Sequence, residues 1–220
     1  MSDRGEVEAA VDGAVEGLGG LDVVMANAGI AAQLPIVGGD PAVFEKTQAV
    51  NVLGAYYTVR AAGAHIAHPG GYALLIASLA AAVHAPLLGA YNASKAAVEA
   101  LGNTLRVELA PSGARVGVGY FAEIATDMTS RGFGTEAAKE MLRGRRTPTG
   151  VAPLHVAIDA VEKGIEHRSR RVCAPAWVAA LLPARMIAQR AIDLAMRRDL
   201  DRALQIARDE DAPFTTAQPR

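Results

Sequence analysis

Residues 72–95 read YALLIASLAAAVHAPLLGAYNASK and decide the fold prediction. Residues 72–77 form a short apolar run bounded by turn residues, which predicts a buried strand. Residues 90–109 form a long, alanine-rich segment, which predicts a helix. Ser78 follows the strand, and Tyr91 and Lys95 lie in the first turns of the helix. This stretch therefore places three polar, chemically useful side chains at one strand-to-helix crossover.

The same alternation of helices and strands extends along the chain. Residues 5–17 predict a helix and residues 21–25 a strand; Asp40 and Pro41 then resemble an N-cap and a first helical residue, opening a helix to about residue 67. Residues 115–121 predict a third strand. Continuous apolar strands separated by helices predict an α/β fold, a Rossmann-like doubly wound parallel sheet.

The remainder of the chain is less regular. Residues 130–150 are rich in glycine and arginine, which predicts a mobile segment containing a short helix, followed by a helix over 151–167 and an edge strand over 171–174. Residues 177–207 predict one or two amphipathic helices broken near Pro183. We therefore expect one domain over 1–175, a helical extension over 176–208 and a disordered tail over 209–220.

Composition excludes several classes of function. Lys and Arg number 22 and Asp and Glu 23, which argues against nucleic acid as a partner. The single cysteine, Cys173, cannot form an intramolecular disulfide, and the five histidines show no metal-binding spacing, so we expect no metal site. The acidic amino terminus lacks the features of a secretory signal. These observations together predict a cytoplasmic protein.

Tyr91 and Lys95 are four residues apart, so a helix would present both side chains on one face. A lysine ammonium beside a phenol stabilises the phenolate, which suits the tyrosine to general acid–base chemistry. Ser78 would lie at the carboxyl end of its strand, where open α/β sheets bind ligands, and could hydrogen-bond a substrate oxygen. A serine hydrolase is disfavoured, because neither Ser78 nor Ser94 lies in a G-x-S-x-G turn.

Four signatures occur in one order: Asn27-Ala28-Gly29 after a strand, Asn51 within a helix, Ser78 after the next strand, and YNASK over 91–95. This set resembles the short-chain dehydrogenase/reductase family over about residues 5–175. The resemblance implies an oxidoreductase that interconverts a secondary alcohol and a ketone with NAD or NADP. It also implies a homodimer or homotetramer, joined through the helices over 40–67 and 90–109.

The resemblance implies a role for each matching residue. Tyr91 would transfer the proton, Lys95 would lower its pKa and hold the nicotinamide ribose, Ser78 would orient the substrate, and Asn51 would hold a water. Asn27, Ala28 and Gly29 would lie beside the adenosine half of the cofactor. The Pro-Gly pair that the family has after its third matching strand is replaced here, but Ile124 and Thr126 remain as candidates for contact with the carboxamide and pyrophosphate.

The family opens with a first strand, a glycine-rich turn and a residue that selects the cofactor, and no such segment is found here, which leaves NAD and NADP undistinguished. The strand over 21–25 should then have an unpaired apolar edge. A start codon assigned too far downstream, a fragment that acts by association, and a decaying gene product are the explanations open. The second of these is the alternative function: a non-catalytic interaction or oligomerisation module.

Two further features leave alternatives open. Residues 80–88 are mostly apolar, which fits either an apolar substrate or ordinary packing, and His84 in this segment is a minor candidate for a site residue. The apolar run over 177–182 is too short to cross a bilayer, Arg185 interrupts it, and an arginine-bearing helix follows. It could cover its own domain, join two subunits, or make peripheral contact with a membrane surface.

Overall fold

The computed structural model describes residues 1–132, 135–141, 143, 149–197, 200–210 and 214–215. A four-stranded parallel sheet forms its centre, with the strands in the order β1-β2-β3-β4. The strands are β1 Val23–Ala26, β2 Tyr72–Ile76, β3 Arg115–Phe121 and β4 Arg171–Ala174. The predicted α/β class and parallel sheet are confirmed.

Helices connect the strands and continue beyond the last one. They are α1 Arg4–Leu18, α2 Pro41–Gln48, α3 Gly54–Ala62, α4 Gly89–Glu108, α5 Asp127–Gly132, α6 Glu136–Met141, α7 Leu154–Glu166, α8 Val178–Leu181, α9 Arg185–Met196 and α10 Leu200–Asp209. Short 3₁₀ turns lie at Leu79–Ala81, Ala110–Ser112 and Leu182–Ala184. Each parallel strand pair is thus joined by a helical crossover, as a doubly wound sheet requires.

Both faces of the sheet are covered by apolar side chains. On one face, Leu75 and Val118 pack with Val59 of α3 and Val98 of α4. On the other face, a second cluster joins the sheet to α7; its members are Tyr72, Leu74, Ile76, Val172, Val161 and Ile165. This burial from two sides explains why the strands read as unbroken apolar runs in the sequence.

The helix predicted over residues 40–67 is shorter and less regular than expected. The Asp40 side chain caps its start, since Oδ1 accepts a hydrogen bond from the Ala42 amide at 2.9 Å, and Pro41 is the first helical residue. The helix is interrupted by one π-helical turn, Ala49–Leu53, and ends at Ala62. A turn over residues 63–66 follows, in which the amides of residues 65 and 66 both bond to the Ala62 carbonyl.

Other boundaries shift by a few residues. The first strand lies at Val23–Ala26, not at 21–25, and α7 begins only at Leu154. The later start of α7 has a local cause: the backbone of Ala152 bonds to Glu123 and Ala125 instead of entering a helix. Within the segment predicted to be mobile, α5 and α6 are described, whereas residues 133–134, 142 and 144–148 lie outside the described residues.

The C-terminal part of the chain also differs from the prediction. Three helices, α8 to α10, replace the one or two expected over 177–207, and the break at Pro183 is present as a 3₁₀ turn. Thr215 lies within the tail for which disorder is predicted, yet it is buried and pairs with Ala31: its amide bonds to the Ala31 carbonyl at 2.8 Å, and its Oγ1 accepts from the Ala31 amide at 2.9 Å. Residues 211–213 and 216–220 of that tail lie outside the described residues.

Strand β1 forms one edge of the sheet. It pairs with β2 alone among the strands that the structure describes, and Met25 on this strand is 42% exposed. An apolar edge of this kind offers unpaired backbone groups to another strand. The predicted unpaired edge is therefore present. Among the described residues no helix is long and apolar enough to cross a membrane.

Gly102 lets α4 approach the sheet closely, and we expect Gly102→Ala to destabilise the fold. A Cβ at this position would lie 2.6 Å from a methyl of Val118, so the buried contact would have to open. We expect a loss of about 1–3 kcal/mol in the free energy of unfolding. Gly13→Ala on α1 is the matched control, because a Cβ there meets nothing within 4 Å; it should stabilise by up to about 1 kcal/mol. Equal effects in urea unfolding would contradict this packing.

Candidate active site

The carboxyl ends of β1 and β2 open into one large cavity. Its volume is about 1160 Å³, and its walls include Ser78, Tyr91 and Lys95 together with residues 27–29 from the loop after β1. Ile124 and Thr126, which follow β3, line the same cavity. Ligands of open α/β sheets bind at this end of the strands. All the predicted site residues except Asn51 therefore line one space.

Tyr91 lies in the first turn of α4, with its ring among Ala31 and Leu88. Only 8% of its surface is exposed. Burial raises the pKa of the Tyr91 phenol, and a hydrogen bond with the Ser78 side chain opposes that rise. At neutral pH the phenol is therefore protonated, and it lies on the wall of the cavity.

Lys95 lies one turn further along α4, on the same face as Tyr91. Its Nζ donates a hydrogen bond to the Ile76 carbonyl at 2.9 Å and lies 5.6 Å from the centroid of the Tyr91 ring. Burial lowers the pKa of Lys95 from 10.5 to about 8. The ammonium form still predominates at neutral pH, but its burial lowers the free energy of unfolding.

Ser78 ends the segment after β2 in an extended conformation and begins the 3₁₀ turn. Its Oγ accepts a hydrogen bond from the Ala80 amide at 3.1 Å and donates to the Phe121 carbonyl at 3.3 Å. These two backbone contacts fix the hydroxyl beside Tyr91. A substrate oxygen in the cavity could thus meet the Tyr91 phenol, and also the Ser78 hydroxyl once that hydroxyl turns its proton away from the Phe121 carbonyl.

Asn51 lies behind this site, in the π-helical turn, and is 1% exposed. Its Oδ1 accepts from the Ile30 amide at 2.8 Å, and its Nδ2 donates to the Ile30 carbonyl and to Ser94 Oγ, both at 2.9 Å. Ser94 Oγ in turn donates to the Tyr91 carbonyl at 2.8 Å. The amide of Asn51 therefore ties the loop after β1 to α4, and both of its protons are already used.

This network predicts that Asn51→Leu destabilises the protein. The substitution keeps the volume but leaves buried partners on Ile30 without hydrogen bonds, which costs about 1–3 kcal/mol for each group. We expect a loss of at least about 2 kcal/mol in the free energy of unfolding. Asn103→Leu is the control, since Asn103 is exposed on α4 and its side chain, within the described part of the chain, accepts a hydrogen bond from Arg106 alone. A fully stable Asn51→Leu protein would show that the network is not needed.

Gly29 leaves room beside the Lys95 ammonium. A Cβ at Gly29 would lie 3.2 Å from Lys95 Nζ and 3.5 Å from Asn51 Oδ1. Any larger residue would therefore crowd the lysine and close this corner of the cavity. Asn27 is exposed at the mouth, and Ala28 is half-buried next to it. The Asn-Ala-Gly stretch thus leaves an open approach to Lys95.

Ile124 and Thr126 occupy the loop after β3. The Ile124 carbonyl accepts hydrogen bonds from the hydroxyls of Thr126, at 3.4 Å, and of Thr129. Backbone pairing of Ala125 and Glu123 with Ala152 holds this loop. The loop is therefore fixed without the Pro-Gly pair, and Thr126 reaches the cavity wall.

Sequence reasoning missed several residues of this site. Ser94, which it considered only as a nucleophile, connects Asn51 to Tyr91, and its position three residues after Tyr91 was the available signal. Ile192 and Met196 of α9 line the cavity from a part of the chain that carries no local signature. His84 lies on a second cavity of about 410 Å³, and its backbone is held by the Gln189 side chain.

The fold and this site together define a parallel α/β domain with a Ser, Tyr and Lys constellation on a ligand-sized cavity. A family profile described as short chain dehydrogenase matches residues 1–137. The chain therefore belongs to the short-chain dehydrogenase family, as the resemblance in its motifs indicated.

Curated relatives agree with this assignment. The chain is 37% identical over 138 residues to the short-chain dehydrogenase/reductase eriH of Hericium erinaceus, covering 62% of this chain and 55% of that protein. It is 35% identical over 115 residues to the L-2,3-butanediol dehydrogenase of Corynebacterium glutamicum, covering 51% and 45%. The chain thus spans about half the length of these relatives.

Solved structures show the same fold. A short chain dehydrogenase from Burkholderia cenocepacia J2315 in complex with NADP superposes with a TM-score of 0.70 at 23% identity, covering 89% of this chain and 77% of that one. A short chain dehydrogenase from Mycobacterium paratuberculosis bound to NAD gives a TM-score of 0.64 at 26% identity, covering 78% and 69%. The Rossmann-like architecture of the described residues is therefore confirmed.

Proposed function

We propose that this chain carries the substrate side and the nicotinamide side of an oxidoreductase that interconverts a secondary alcohol and a ketone with NAD or NADP. The observation that carries the proposal is the meeting of Tyr91, Ser78 and Lys95 on one cavity wall. Several relatives are named as dehydrogenases or reductases, and solved neighbours hold NAD or NADP.

The residues present fit a nicotinamide nucleotide. Gly29 leaves open the space beside Lys95 that a side chain would fill, and the cavity has room for a nucleotide and a small substrate together. Lys95 and Tyr91 would hold the ribose, Ile124 and Thr126 the carboxamide and pyrophosphate, and residues 27–29 the adenosine half. When bound, the cofactor supplies or accepts the hydride.

The protein's own part of the reaction is proton transfer and orientation. During reduction, Tyr91 gives its proton to the carbonyl oxygen as the C–O double bond becomes a single bond, and the phenolate recovers a proton from solvent. During oxidation, the phenolate takes the hydroxyl proton. The Ser78 hydroxyl would turn from the Phe121 carbonyl to hold the same oxygen, and the Lys95 ammonium, 5.6 Å from the centroid of the Tyr91 ring, would attract the phenolate that forms during reduction.

The apolar cavity walls favour an apolar substrate. Val83, Pro86 and Leu88, from the segment between Ser78 and Tyr91, and Ile192 and Met196, from α9, all line the cavity. These side chains bury methyl and methylene groups well but offer no hydrogen bonds to a polyol. We therefore infer a secondary alcohol or ketone with a sizeable hydrocarbon part.

The chain is also proposed to self-associate through α2, α3 and α4. Exposed apolar side chains occur on these helices, namely Phe44, Tyr56 and Val107. The alternative function, a non-catalytic interaction module, is favoured by one observation, the free apolar edge of β1.

Turnover of a substrate panel tests the proposal against its alternative. Aliphatic secondary alcohols and ketones of increasing length, with sorbitol as a polar comparison, would be incubated with NAD(H) and NADP(H), and the absorbance at 340 nm followed. Both the 220-residue chain and a form extended through any upstream in-frame codons should be assayed. We expect oxidation or reduction that Ser78→Ala slows at least about tenfold. Absence of turnover in both forms, with all substrates, would favour the interaction module.

A further inference from the structure

Helix α9 has an exposed face that the described residues of the chain leave uncovered. Met186 is 78% exposed, Ile187 74% and Leu194 67%. The opposite face is used: Ile192 and Met196 line the large cavity, and Gln189 bonds to the backbone of His84. Its 12 residues are therefore fixed in orientation, with an apolar surface turned outward.

Two arginines lie on the same outward face. Arg190 comes one turn after Met186 and one turn before Leu194, and Arg197 caps the helix three residues beyond Leu194; both are exposed. Asp193 is the one acidic residue of α9, and its carboxylate accepts a hydrogen bond from Gln189 at 2.8 Å. The face thus combines large apolar side chains with net positive charge.

We propose that this face of α9 binds the surface of an anionic lipid bilayer. Met186, Ile187 and Leu194 would enter the boundary between headgroups and acyl chains, while Arg190 and Arg197 would extend to lipid phosphates. A helix of this length lies in the interface and does not span the bilayer.

Charge argues against a second copy of the chain as the occupant. In a symmetric contact the same patch meets itself, so each copy would bring two arginines and one aspartate, a net positive charge, beside apolar side chains. Like charges in such an interface repel each other and lose water. An anionic bilayer satisfies the apolar side chains and the arginines at once.

The position of α9 gives this contact a consequence. One face of α9 lines the cavity and the other face is exposed. Bilayer binding through the exposed face would therefore place the cavity next to the lipid phase. An apolar substrate dissolved in the bilayer would then reach Tyr91 by a short path. That consequence rests on the proposed function, whereas bilayer binding itself does not.

Vesicle sedimentation with the whole 220-residue chain tests the proposal without substrate or cofactor. Vesicles of phosphatidylcholine with one fifth phosphatidylglycerol would be compared with phosphatidylcholine alone, at low and at physiological salt. We expect binding to the anionic vesicles that weakens with salt. Leu194→Asp should reduce it at least tenfold, and Arg190→Gln by roughly fivefold.

Leu18→Asp is the matched control, because Leu18 is also a leucine in the last turns of a helix and is 73% exposed. It should leave vesicle binding unchanged, and thermal melting should show all variants folded. No binding to anionic vesicles at low salt, or equal losses from both aspartate substitutions, would overturn the proposal. A wild-type dimer that Leu194→Asp dissociates, without vesicle binding, would also overturn it by making the face a contact between copies.

Discussion

Tyr91→Phe is expected to lower turnover by about a hundred- to ten-thousandfold, the range that a positioned general acid contributes. The substitution keeps the buried ring but removes the proton that faces the cavity and the hydrogen bond with Ser78. Because the ring still packs against Ala31 and Leu88 and Lys95 stays on the cavity wall, cofactor affinity should fall far less than turnover. Steady-state kinetics and NADH titration of the same preparation measure both quantities.

The pH dependence of the reduction rate is a second test of Tyr91 as the proton donor. Burial raises the pKa of this phenol, so the acid form is present at neutral pH and is lost only as the pH passes above the raised value. Reduction should therefore be constant near neutrality and fall at alkaline pH, while oxidation should rise. The matched control is Tyr120→Phe. Tyr120 is also a buried tyrosine, but its hydroxyl donates a hydrogen bond to the Glu99 carboxylate at 3.0 Å and does not line the cavity. Equal turnover by Tyr91→Phe and wild type would remove Tyr91 from the mechanism.

Lys95→Met is expected to remove activity and to make the protein more stable. Burial depresses the pKa of Lys95 from 10.5 to about 8, which corresponds to about 3 kcal/mol of destabilisation when the residue is charged. Methionine fills a similar volume without charge. It cannot donate the hydrogen bond to the Ile76 carbonyl, and the loss of that bond costs about 1 kcal/mol. We expect a net gain of about 1–2 kcal/mol at pH 7, together with a turnover loss of at least about a hundredfold.

The sign of the pH dependence distinguishes this cause from better packing. Below the folded pKa of about 8, Lys95 is charged in both states and its destabilisation is complete. Between that value and 10.5 the unfolded chain binds more protons than the folded one, so wild-type stability rises relative to Lys95→Met. The gain measured by urea unfolding should shrink from pH 7 to pH 9.5. Lys163→Met, at an exposed position on α7, should change stability little at any pH.

Much of the fold could be predicted because its signals are local. Apolar runs bounded by turns gave β2 and β3, and the Asp40 cap gave the start of α2. Tyr91 and Lys95 were predictable as a pair because helical spacing places them on one face. Where a strand ends is less predictable, since tertiary hydrogen bonds such as that from the Tyr72 amide to the Asp22 carbonyl decide it.

The remaining features depend on contacts that are distant in sequence. The π-helical turn brings Asn51 to Ile30 and Ser94, which lie 21 and 43 residues away, and no propensity marks it. Thr215 pairs with Ala31 across 184 residues, so composition alone suggested a disordered tail. The predicted roles of Asn51 in holding water and of Lys95 in holding the ribose stay predictions.

The most direct test of the central claim is titration of the chain with NADH and NADPH, followed by nicotinamide fluorescence. Wild type, Lys95→Met and Lys163→Met should be compared, each as the 220-residue chain and in the extended form. We predict saturable binding of at least one nucleotide that Lys95→Met weakens at least about tenfold and Lys163→Met leaves unchanged. Equal nucleotide affinity of Lys95→Met and the wild type, or no nucleotide binding by any form, would contradict the proposal that this cavity is a nicotinamide site.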